Sequence, residues 1–250
     1  MKISEIKSTF EAAGFEQLDK ILDAFRSDER AGVQKLIMQY EKKKEDYQKE
    51  LKRLEEMRIF ENQYKDSPYI CGIDEVGRGP LCGPVVACAV ILPKDTQILY
   101  INDSKQLSEK KRELLYDEIM EKAVAVGIGV VSPEDIDTMN ILQATFQAMR
   151  IAIGNLSVEP TLLLNDAVII PEVEIPQVKI IKGDARSMSI AAASIVAKVT
   201  RDRMMVAYDK LFPEYGLARN KGYGSKEHIE ALRKYGSCPI HRKTFITHFV

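Results

Sequence analysis

The residues of this sequence that could do chemistry are acidic side chains placed directly after short apolar runs. Asp74 and Glu75 follow one such run, Asp166 follows a second, and Asp184 comes shortly after a third. Runs of this kind are typical of buried strands. Carboxylates that cluster at strand ends repel one another unless a cation neutralises them. An all-oxygen ligand set favours Mg²⁺ or Mn²⁺, and two such ions can promote hydrolysis of a phosphodiester.

Each of these acids also has an ordinary structural interpretation. Asp74 and Glu75 could be solvated acids at a tight turn, and Asp166 and Asp184 could be turn or helix-capping residues. Consecutive strand side chains point to opposite faces, so a bend is needed to aim Asp74 and Glu75 at one site. The repeated placement of acids at strand ends favours a metal site.

The segment that follows the first two acids is rich in glycine, and it reads Val76-Gly77-Arg78-Gly79-Pro80. Glycines at 77 and 79 would let another backbone pass closely, and Arg78 offers a planar donor fork for a phosphate. A dinucleotide-binding fingerprint does not fit here, because the last glycine falls one residue too late and proline disturbs the helix start. The chain also contains no Walker A sequence.

The elements that must position these residues begin after a different N-terminal segment. Residues 1–65 contain two glycines and no proline, and their apolar residues recur sparsely at helical spacing. This pattern predicts two or three helices, the last of them long, and Pro68 ends the segment. Beyond it, strands are predicted at 69–73, 85–92, 126–131, 162–165 and 178–181, and helices at 108–125, 141–156, 187–212 and 225–235, with a further helix start at Ser132.

This alternation of strands and helices is typical of an α/β domain, here with a helical appendage at each end. The predicted domains are an N-terminal helical extension at 1–66, a catalytic domain at 67–212, and a helical, basic C-terminal region at 213–250. The C-terminal region is expected to pack on the catalytic domain.

Charge is distributed unevenly along the chain, although the net charge is only −1. Residues 66–178 hold 8 Lys/Arg and 17 Asp/Glu, whereas residues 179–250 hold 14 and 6. An acidic middle suits a place that gathers metal ions, and a basic C-terminal third suits a partner with negative charge, although charged faces are also often merely solvated. No apolar run is long enough to cross a bilayer, and the N-terminus lacks a signal-peptide pattern, so a cytoplasmic location without membrane partners is predicted.

The cysteines and histidines do not predict a zinc or dithiol site. The four cysteines form no Cys-x-x-Cys pair, and the three histidines form no His-Glu-x-x-His pattern. Cys71, Cys82 and Cys88 lie in apolar runs, where cysteine behaves as a small core residue.

Several motifs, occurring in one order, resemble those of bacterial ribonuclease HII, the type 2 ribonucleases H. The resemblance covers roughly residues 69–245. It rests on the segments 74–80 (DEVGRGP), 103–105 (DSK), 182–184 (KGD), 189–202 (SIAAASIVAKVTRD), 221–224 (KGYG) and 241–245 (HRKTF). It implies a ribonuclease H-like fold, with a central mixed sheet flanked by helices, and a two-metal active site.

The resemblance also implies roles for individual residues. The catalytic acids, which would hold two Mg²⁺ or Mn²⁺ ions, are Asp74, Glu75, Asp166 and Asp184. The glycine-arginine-glycine loop would follow the ribonucleotide and its 2′-hydroxyl through backbone groups. The expected substrate-binding residues are Gly77, Arg78, Gly79, Ser104, Lys105 and Tyr223, with Ser104 and Lys105 on backbone phosphates and Tyr223 on the neighbouring deoxyribose.

Other positions of the family pattern have less direct roles. Asn165 stands where an aliphatic residue is usual before the third acid, and the helical context of Asp202 suggests a supporting role. A longer electrostatic track for phosphates is expected from the basic residues of the C-terminal third, which are Lys198, Arg201, Lys221, Arg242 and Lys243.

The function implied by the resemblance is an endonuclease that acts as a monomer. It would hydrolyse the RNA strand of RNA–DNA hybrids and cut duplex DNA on the 5′ side of single embedded ribonucleotides, leaving 3′-hydroxyl and 5′-phosphate ends. Two alternatives stay open at this point: a two-metal DNA nuclease on the same fold, and a non-catalytic nucleic-acid-binding module. Residues 1–65 lie outside the resembling motifs, and they could add phosphate contacts or brace the catalytic domain.

Overall fold

The computed structural model describes residues 1–249, apart from the side chain of Glu16, and the chain divides into two compact units. The first unit is Met1–Glu56 and the second is Met57–Val250. Residues 57–66, which the sequence pattern groups with the N-terminal extension, belong to the second unit. The domain limits 1–66, 67–212 and 213–250 stay a prediction.

The first unit consists of three helices, as the sparse apolar spacing predicts. They are α1 (Ile3–Ala12), α2 (Leu18–Phe25) and α3 (Ala31–Glu56). Their buried side chains form one small core, in which the rings of Phe10 and Tyr40 stack with centroids 4.7 Å apart. Because α3 buries few of its 26 residues, most of its surface is charged and solvated.

The second unit is built on a mixed five-stranded sheet, which confirms the predicted α/β architecture. The strands are β1 (Ile70–Val76), β2 (Val85–Ile91), β3 (Ala125–Val131), β4 (Leu162–Asp166) and β5 (Gln177–Ile180). They lie in the order β3-β2-β1-β4-β5. β2 is antiparallel to both of its neighbours, whereas β1, β4 and β5 run parallel to one another. The C-terminal ends of β1, β4 and β5 therefore share one edge of the sheet.

Two long helices cover the sheet, and glycines let each approach closely. On one side, α7 (Ile141–Gly154) lies against β3, where a Cβ atom at Gly129 would fall 1.9 Å from the carbonyl oxygen of Ala148. On the other, α8 (Met188–Leu211) lies flush on β1, where a Cβ atom at Gly72 would fall 2.1 Å from the carbonyl carbon of Ser189. The alanine-rich start of α8 is fully buried, as its small residues predict.

The remaining helices surround this core. They are α4 (Ile59–Gln63), α5 (Glu109–Lys122), α6 (Pro133–Met139), α9 (Leu217–Asn220), α10 (Lys226–Tyr235) and α11 (Lys243–Ile246). The predicted helix starts at Ser108 and Ser132 are confirmed, because each hydroxyl accepts a bond from a backbone amide three residues later. Cys71, Cys82 and Cys88 are buried, as expected. Among the described residues, no helix has the length and apolar character needed to cross a membrane.

Candidate active site

The sheet brings the four predicted acids to one edge. Asp74 and Glu75 lie near the end of β1, and Asp166 ends β4, one register step beyond the pairing of Ile73 with Asn165. Asp184 follows β5 in a single turn of 3₁₀ helix. The amide of Gly183 donates to Asp166 Oδ1 at 2.7 Å, which ties the Asp184 turn to the end of β4.

The pKa values of three of these acids are raised by burial and by the charges of neighbouring carboxylates. Burial raises the pKa of Asp74 well above its usual value, and the charges of Glu75 and Asp166 raise it further. Burial also raises the pKa of Glu75. The charge of Arg78 lowers this pKa, and the charge of Asp166 raises it further. The pKa of Asp184 is raised by burial, then by Asp103 and Asp166. Carboxylates that disfavour one another's charge in this way are a site for a cation.

Two cationic side chains lie at the border of this acidic group. Arg78 Nη1 lies 3.4 Å from Glu75 Oε1, and the guanidinium is about half exposed. Lys105 is exposed. Burial lowers its pKa, but the negative charges of Asp103, Asp74 and Asp184 outweigh this effect and raise the pKa above the usual value. Both cations can reach outward, toward an anion that approaches the acids.

A short chain of hydroxyl groups connects the predicted phosphate contact Ser104 to the acids. Ser104 is buried, and its Oγ lies 2.9 Å from the Oγ of Ser194 on α8. Ser194 in turn acts on Asp74, because its hydroxyl lowers the pKa that burial and neighbouring charges raise. Sequence reasoning missed Ser194, and it missed the electrostatic effect of Asp103 on Asp184. Asp103 belongs to one of the resembling motifs, but nothing in the sequence joins Ser194 to Asp74.

The two glycines of the 77–79 loop differ in what the folded chain demands of them. Gly77 has a φ of +93°, and a Cβ atom there would lie 2.3 Å from Arg201 Nε, so this position requires glycine. Gly79 is exposed, has no positive φ, and a Cβ atom there would meet nothing within 4 Å. The fold itself therefore does not explain glycine at 79, whereas the close approach of a ligand does.

Tyr223 stands on a second loop, residues 221–225, which we name the Tyr223 loop. Its ring is 43% exposed, and the Arg201 guanidinium carbon lies 6.0 Å from the ring centroid. The amide of Leu81 donates to the carbonyl of Gly222 at 2.8 Å, which joins the two loops directly. An exposed aromatic ring beside an open glycine is suited to stacking on a ligand.

Comparison with known proteins identifies the origin of this arrangement. The sequence model of the family described as Ribonuclease HII matches residues 71–248, and that of the Ribonuclease HII N-terminal domain matches residues 2–65. The chain belongs to the ribonuclease HII family. It is therefore a ribonuclease H, an endonuclease that hydrolyses phosphodiester bonds in RNA–DNA hybrids.

Individual ribonucleases HII resemble the chain over nearly its full length. The protein from Lachnoclostridium phytofermentans is 63% identical over 246 residues, covering 98% of this chain and 97% of the relative. The protein from Acetivibrio thermocellus is 50% identical over 252 residues, covering 100% of this chain and 98% of the relative. The crystal structure of the ribonuclease H2 from Pyrococcus horikoshii OT3 matches with a TM-score of 0.60 and 29% identity, covering 70% of this chain and 93% of that one. The predicted ribonuclease H-like fold is confirmed.

The family match corrects one expectation from the sequence. Residues 1–65 were expected to lie outside the family resemblance, but residues 2–65 match the N-terminal domain of ribonuclease HII. The resembling motifs are concentrated around the metal site and the substrate loops, so they could not reveal a helical domain that contributes none of them.

The structure also corrects the expected electrostatic track. Arg201 and Arg242 are both fully buried, and their guanidinium groups donate to main-chain carbonyls, so neither belongs to a surface that follows phosphates. Lys243 is exposed, whereas Lys198 is largely buried and donates to Asp202 Oδ1 at 2.7 Å. Asp202 also faces Arg112, with 3.9 Å between the nearest charged atoms, which fits a supporting place between helices.

Asn165, the unusual residue before the third acid, is fully buried on β4. Its Nδ2 donates to Gln177 Oε1 at 2.8 Å, while its Oδ1 has no hydrogen-bond partner among the described residues. The amide therefore links β4 to β5 just before Asp166 and Asp184 leave those strands.

A second cluster of potential metal ligands lies apart from the acids. Atoms of Cys82, His228 and His241 all fall within 4.8 Å of one another, and sequence reasoning missed this cluster because the three residues come from separate segments. Among the described residues, no other group of three or more potential ligands has its ligand atoms this close together, so the four acids are spaced more widely.

Hydrogen bonds account for both histidines in that cluster. His241 Nδ1 accepts from the amide of Cys238 at 3.0 Å, so Nε2 carries the proton and donates to His228 Nε2 at 3.0 Å. His228 Nδ1 then donates to the carbonyl of Tyr223 at 2.9 Å. Burial lowers the pKa of His228, and it lowers that of His241 to about 4, so both rings are neutral. A metal would have to displace the proton between the rings, so the pair is structural.

Proposed function

We propose that this ribonuclease HII cuts duplex DNA on the 5′ side of single ribonucleotides, as well as RNA–DNA hybrids, and that two divalent cations assist it. The observation that supports this most strongly is that four acids meet at one sheet edge: Asp74, Glu75, Asp166 and Asp184. The pKa values of Asp74, Glu75 and Asp184 are raised. Arg78 and Gly79, the exposed part of the 77–79 loop, and the half-exposed Tyr223 would bind the ribonucleotide.

The chemistry of the donor set fits Mg²⁺ or Mn²⁺. All four acids offer carboxylate oxygens, the ligands that these hard cations prefer. Two such ions supply Lewis-acid stabilisation of both the attacking and the leaving oxygen of a phosphodiester. Asp74 and Asp166 would share the ions, while Glu75 and Asp184 would complete the ligand sets.

The side chains around the acids would position the substrate. Lys105, exposed beside Asp103, would bind a backbone phosphate, and Arg78 can leave Glu75 to do the same. Ser104 is buried against Ser194, so its contribution would be to order the residues around Asp74 as well as to contact phosphate. Tyr223 would stack on the deoxyribose next to the ribonucleotide.

Recognition of the ribonucleotide would fall to the 77–79 loop. The 2′-hydroxyl is the group that distinguishes RNA from DNA at a site. Gly79 leaves open space that a side chain would fill, so the sugar can come close enough for backbone groups to contact that hydroxyl. An enzyme that cannot make this contact with a 2′-hydroxyl should still bind duplex DNA but should not cut it.

Three duplexes test this proposal: DNA with one ribonucleotide, an RNA–DNA hybrid, and DNA alone, each with Mg²⁺, with Mn²⁺ and with a chelator. We expect metal-dependent cleavage of the first two, with 3′-hydroxyl and 5′-phosphate ends, and none of the third. Comparable cutting of the all-DNA duplex would instead indicate a DNA nuclease. Absence of metal-dependent turnover on every duplex would indicate a binding module. A monomeric, cytoplasmic enzyme stays the prediction for its state and location.

A further inference from the structure

Two arginines lie in the interior beside the proposed ribonucleotide site. Arg242 precedes α11 and Arg201 lies in the middle of α8, and both side chains are fully buried. Burial lowers the pKa of each guanidinium, that of Arg242 to about 10 with a contribution from the charge of Arg201. Neither forms an ion pair with a carboxylate among the described residues, so something else must stabilise two buried positive charges.

That stabilisation comes from the main chain of the two substrate loops. Arg242 donates from Nη2 to Gly77 O, from Nη1 to Arg78 O at 3.0 Å, and from Nε and Nη2 to Gly83 O at 3.0 and 2.8 Å. Arg201 donates to Pro84 O at 2.9 Å, to Cys82 O at 3.1 Å and to Lys221 O at 2.8 Å. Every acceptor is a carbonyl of residues 77–84 or of the Tyr223 loop.

The bonds to Arg242 fix the direction of two peptide groups. In a trans peptide the carbonyl and the following amide point in opposite directions. Because the carbonyls of Gly77 and Arg78 point inward to Arg242, the amides of Arg78 and Gly79 point outward. Neither amide has an acceptor among the described residues, and Gly79 leaves space in front of it. Two adjacent free donors thus face the place where a ribose would lie.

We propose that Arg201 and Arg242 are positioning residues for ribose recognition, which hold the 77–79 loop and the Tyr223 loop in one arrangement with the Arg78 and Gly79 amides directed at the 2′-hydroxyl. This inference rests on the proposed function. A guanidinium is required for it, because its planar fork of five donors can reach three carbonyls at once, whereas a lysine ammonium is a compact charge on a flexible stem.

The same scaffold serves Tyr223. Arg201 donates to the carbonyl of Lys221 and lies beneath the Tyr223 ring, and His228 Nδ1 donates to the carbonyl of Tyr223. The glycine loop and the aromatic ring are therefore held by one set of buried donors. A displacement of that set should disturb sugar recognition while leaving in place the acids, three of which lie on β1 and β4.

The central test is Arg201→Lys against the matched control Arg203→Lys. Both positions lie on α8, and Arg203 is half exposed, where it pairs with Glu113 rather than with either loop. For each full-length protein the affinities for a single-ribonucleotide duplex and for the same duplex in DNA are measured with a chelator present. Manganese binding in the absence of duplex is measured separately.

We expect Arg201→Lys to reduce the ratio of ribonucleotide to DNA affinity about ten-fold or more, the loss of one to two hydrogen bonds, while manganese affinity stays within about two-fold. Arg203→Lys should leave both unchanged. An unchanged ratio in folded Arg201→Lys would overturn the proposal, as would an equal loss in Arg203→Lys. If the parent itself shows no preference for the ribonucleotide, the proposed function fails instead.

A measurement on the parent protein covers the case in which the variant does not fold. In the free protein the amides of Arg78 and Gly79 should exchange with solvent rapidly, whereas those of Leu81 and Gly83, which donate to Gly222 O and Ile240 O, should exchange slowly. A ribonucleotide duplex should slow the Gly79 amide at least about ten-fold more than the DNA duplex does. Slow exchange at Gly79 in the free protein would contradict the outward orientation and the proposal with it.

Discussion

The second unit of this ribonuclease HII contains two groups of like charges, one partly and one fully buried, and it treats them in opposite ways. Burial and the charges of neighbouring carboxylates raise the pKa values of Asp74 and Asp184, and few donors compensate them. Arg201 and Arg242, by contrast, donate seven hydrogen bonds to main-chain carbonyls. Buried charges that are hydrogen-bonded to the main chain stabilise the fold, whereas charges that repel one another form a binding site for a ligand of opposite charge.

This comparison leads to opposite expectations for neutralising substitutions. Removing a charge from the acidic group relieves repulsion and should harm only chemistry. Removing one from the arginine pair leaves carbonyls without donors and should harm folding. Each of the following measurements can confirm or break that contrast.

The largest effect is expected for Asp74→Asn and Asp166→Asn. Each variant keeps the shape and one acceptor oxygen but loses the charge that holds the cations. Activity should fall about 1,000-fold or more, because cation stabilisation contributes several kcal/mol. Without metal, the melting temperature should equal or exceed that of the parent. Turnover within ten-fold of the parent in either variant would refute the assignment, and a lower melting temperature would break the contrast.

The opposite response is expected for Arg242→Met. The methionine fills much of the space but leaves the carbonyls of Gly77, Arg78 and Gly83 without their donor. Since a buried unsatisfied group costs about 1–3 kcal/mol, the free energy of unfolding should fall by about 3 kcal/mol or more. Urea unfolding measures this, with Arg203→Met as the exposed control. A loss no larger than that of the control would show that the carbonyls do not depend on Arg242.

The buried histidine pair should make stability depend on pH. The pKa of His241 lies at about 4 in the folded chain against 6.5 for the ordinary side chain, so the unfolded chain takes up a proton first as the pH falls. Stability contributed by neutral His241 is therefore complete above pH 6.5 and decreases toward pH 4, by about 3 kcal/mol in all. Urea unfolding across this window measures it. His241→Gln, which cannot titrate, should lose most of the slope, and an equal slope would contradict the assignment.

A smaller, selective effect is expected for Tyr223→Ala. Stacking contacts are worth about 1–3 kcal/mol, so cleavage beside a single ribonucleotide should fall about ten-fold or more. Binding to plain DNA should change little, since the ring would act at the sugar next to the ribonucleotide. Steady-state rates on the single-ribonucleotide duplex and on a hybrid separate these outcomes. Equal, small losses on both would count against the role of the ring.

The smallest effect is expected from removal of the first compact unit. A shortened chain should begin at Met57, because Glu61 Oε1 accepts from Ser187 Oγ at 2.7 Å and from the Ser189 amide at 3.0 Å, contacts that belong to the second unit. If the unit binds duplex, turnover at saturation should persist while the salt slope of affinity falls by about one unit per lost phosphate contact. A large fall in melting temperature would indicate a brace instead.

Much of the acidic site could be predicted from the sequence, because its logic is local. An apolar run followed by an acid predicts a strand end, and the repetition of this pattern at Asp74, Asp166 and Asp184 favours one metal site, to which the family resemblance adds Glu75. The α/β alternation and the long Ala-rich helix were equally accessible, since periodicity and small residues signal them directly, whereas the mixed sheet was implied by the family resemblance.

The interior of the second unit could not be predicted in the same way. An arginine in a sequence is expected on the surface. The sequence does not reveal that Arg201 will be buried and will donate to carbonyls more than 100 residues away in the chain. The Ser104–Ser194 contact and the His228–His241 pair likewise join distant segments through side chains with many other uses. Such contacts follow from the assembled topology rather than from spacing.

The flush packing of α8 on β1 at Gly72 has a consequence for biosynthesis. The strand that carries Asp74 and Glu75 leaves the ribosome early, but β4, α8 and Arg242, which complete its surroundings, are made much later. At about 5–20 residues per second, translation from Asp74 to Arg242 takes roughly ten to thirty seconds. During that time the nascent chain lacks β4, α8 and Arg242, so the acids of β1 stand without the strand, the helix and the loop contacts that complete their site.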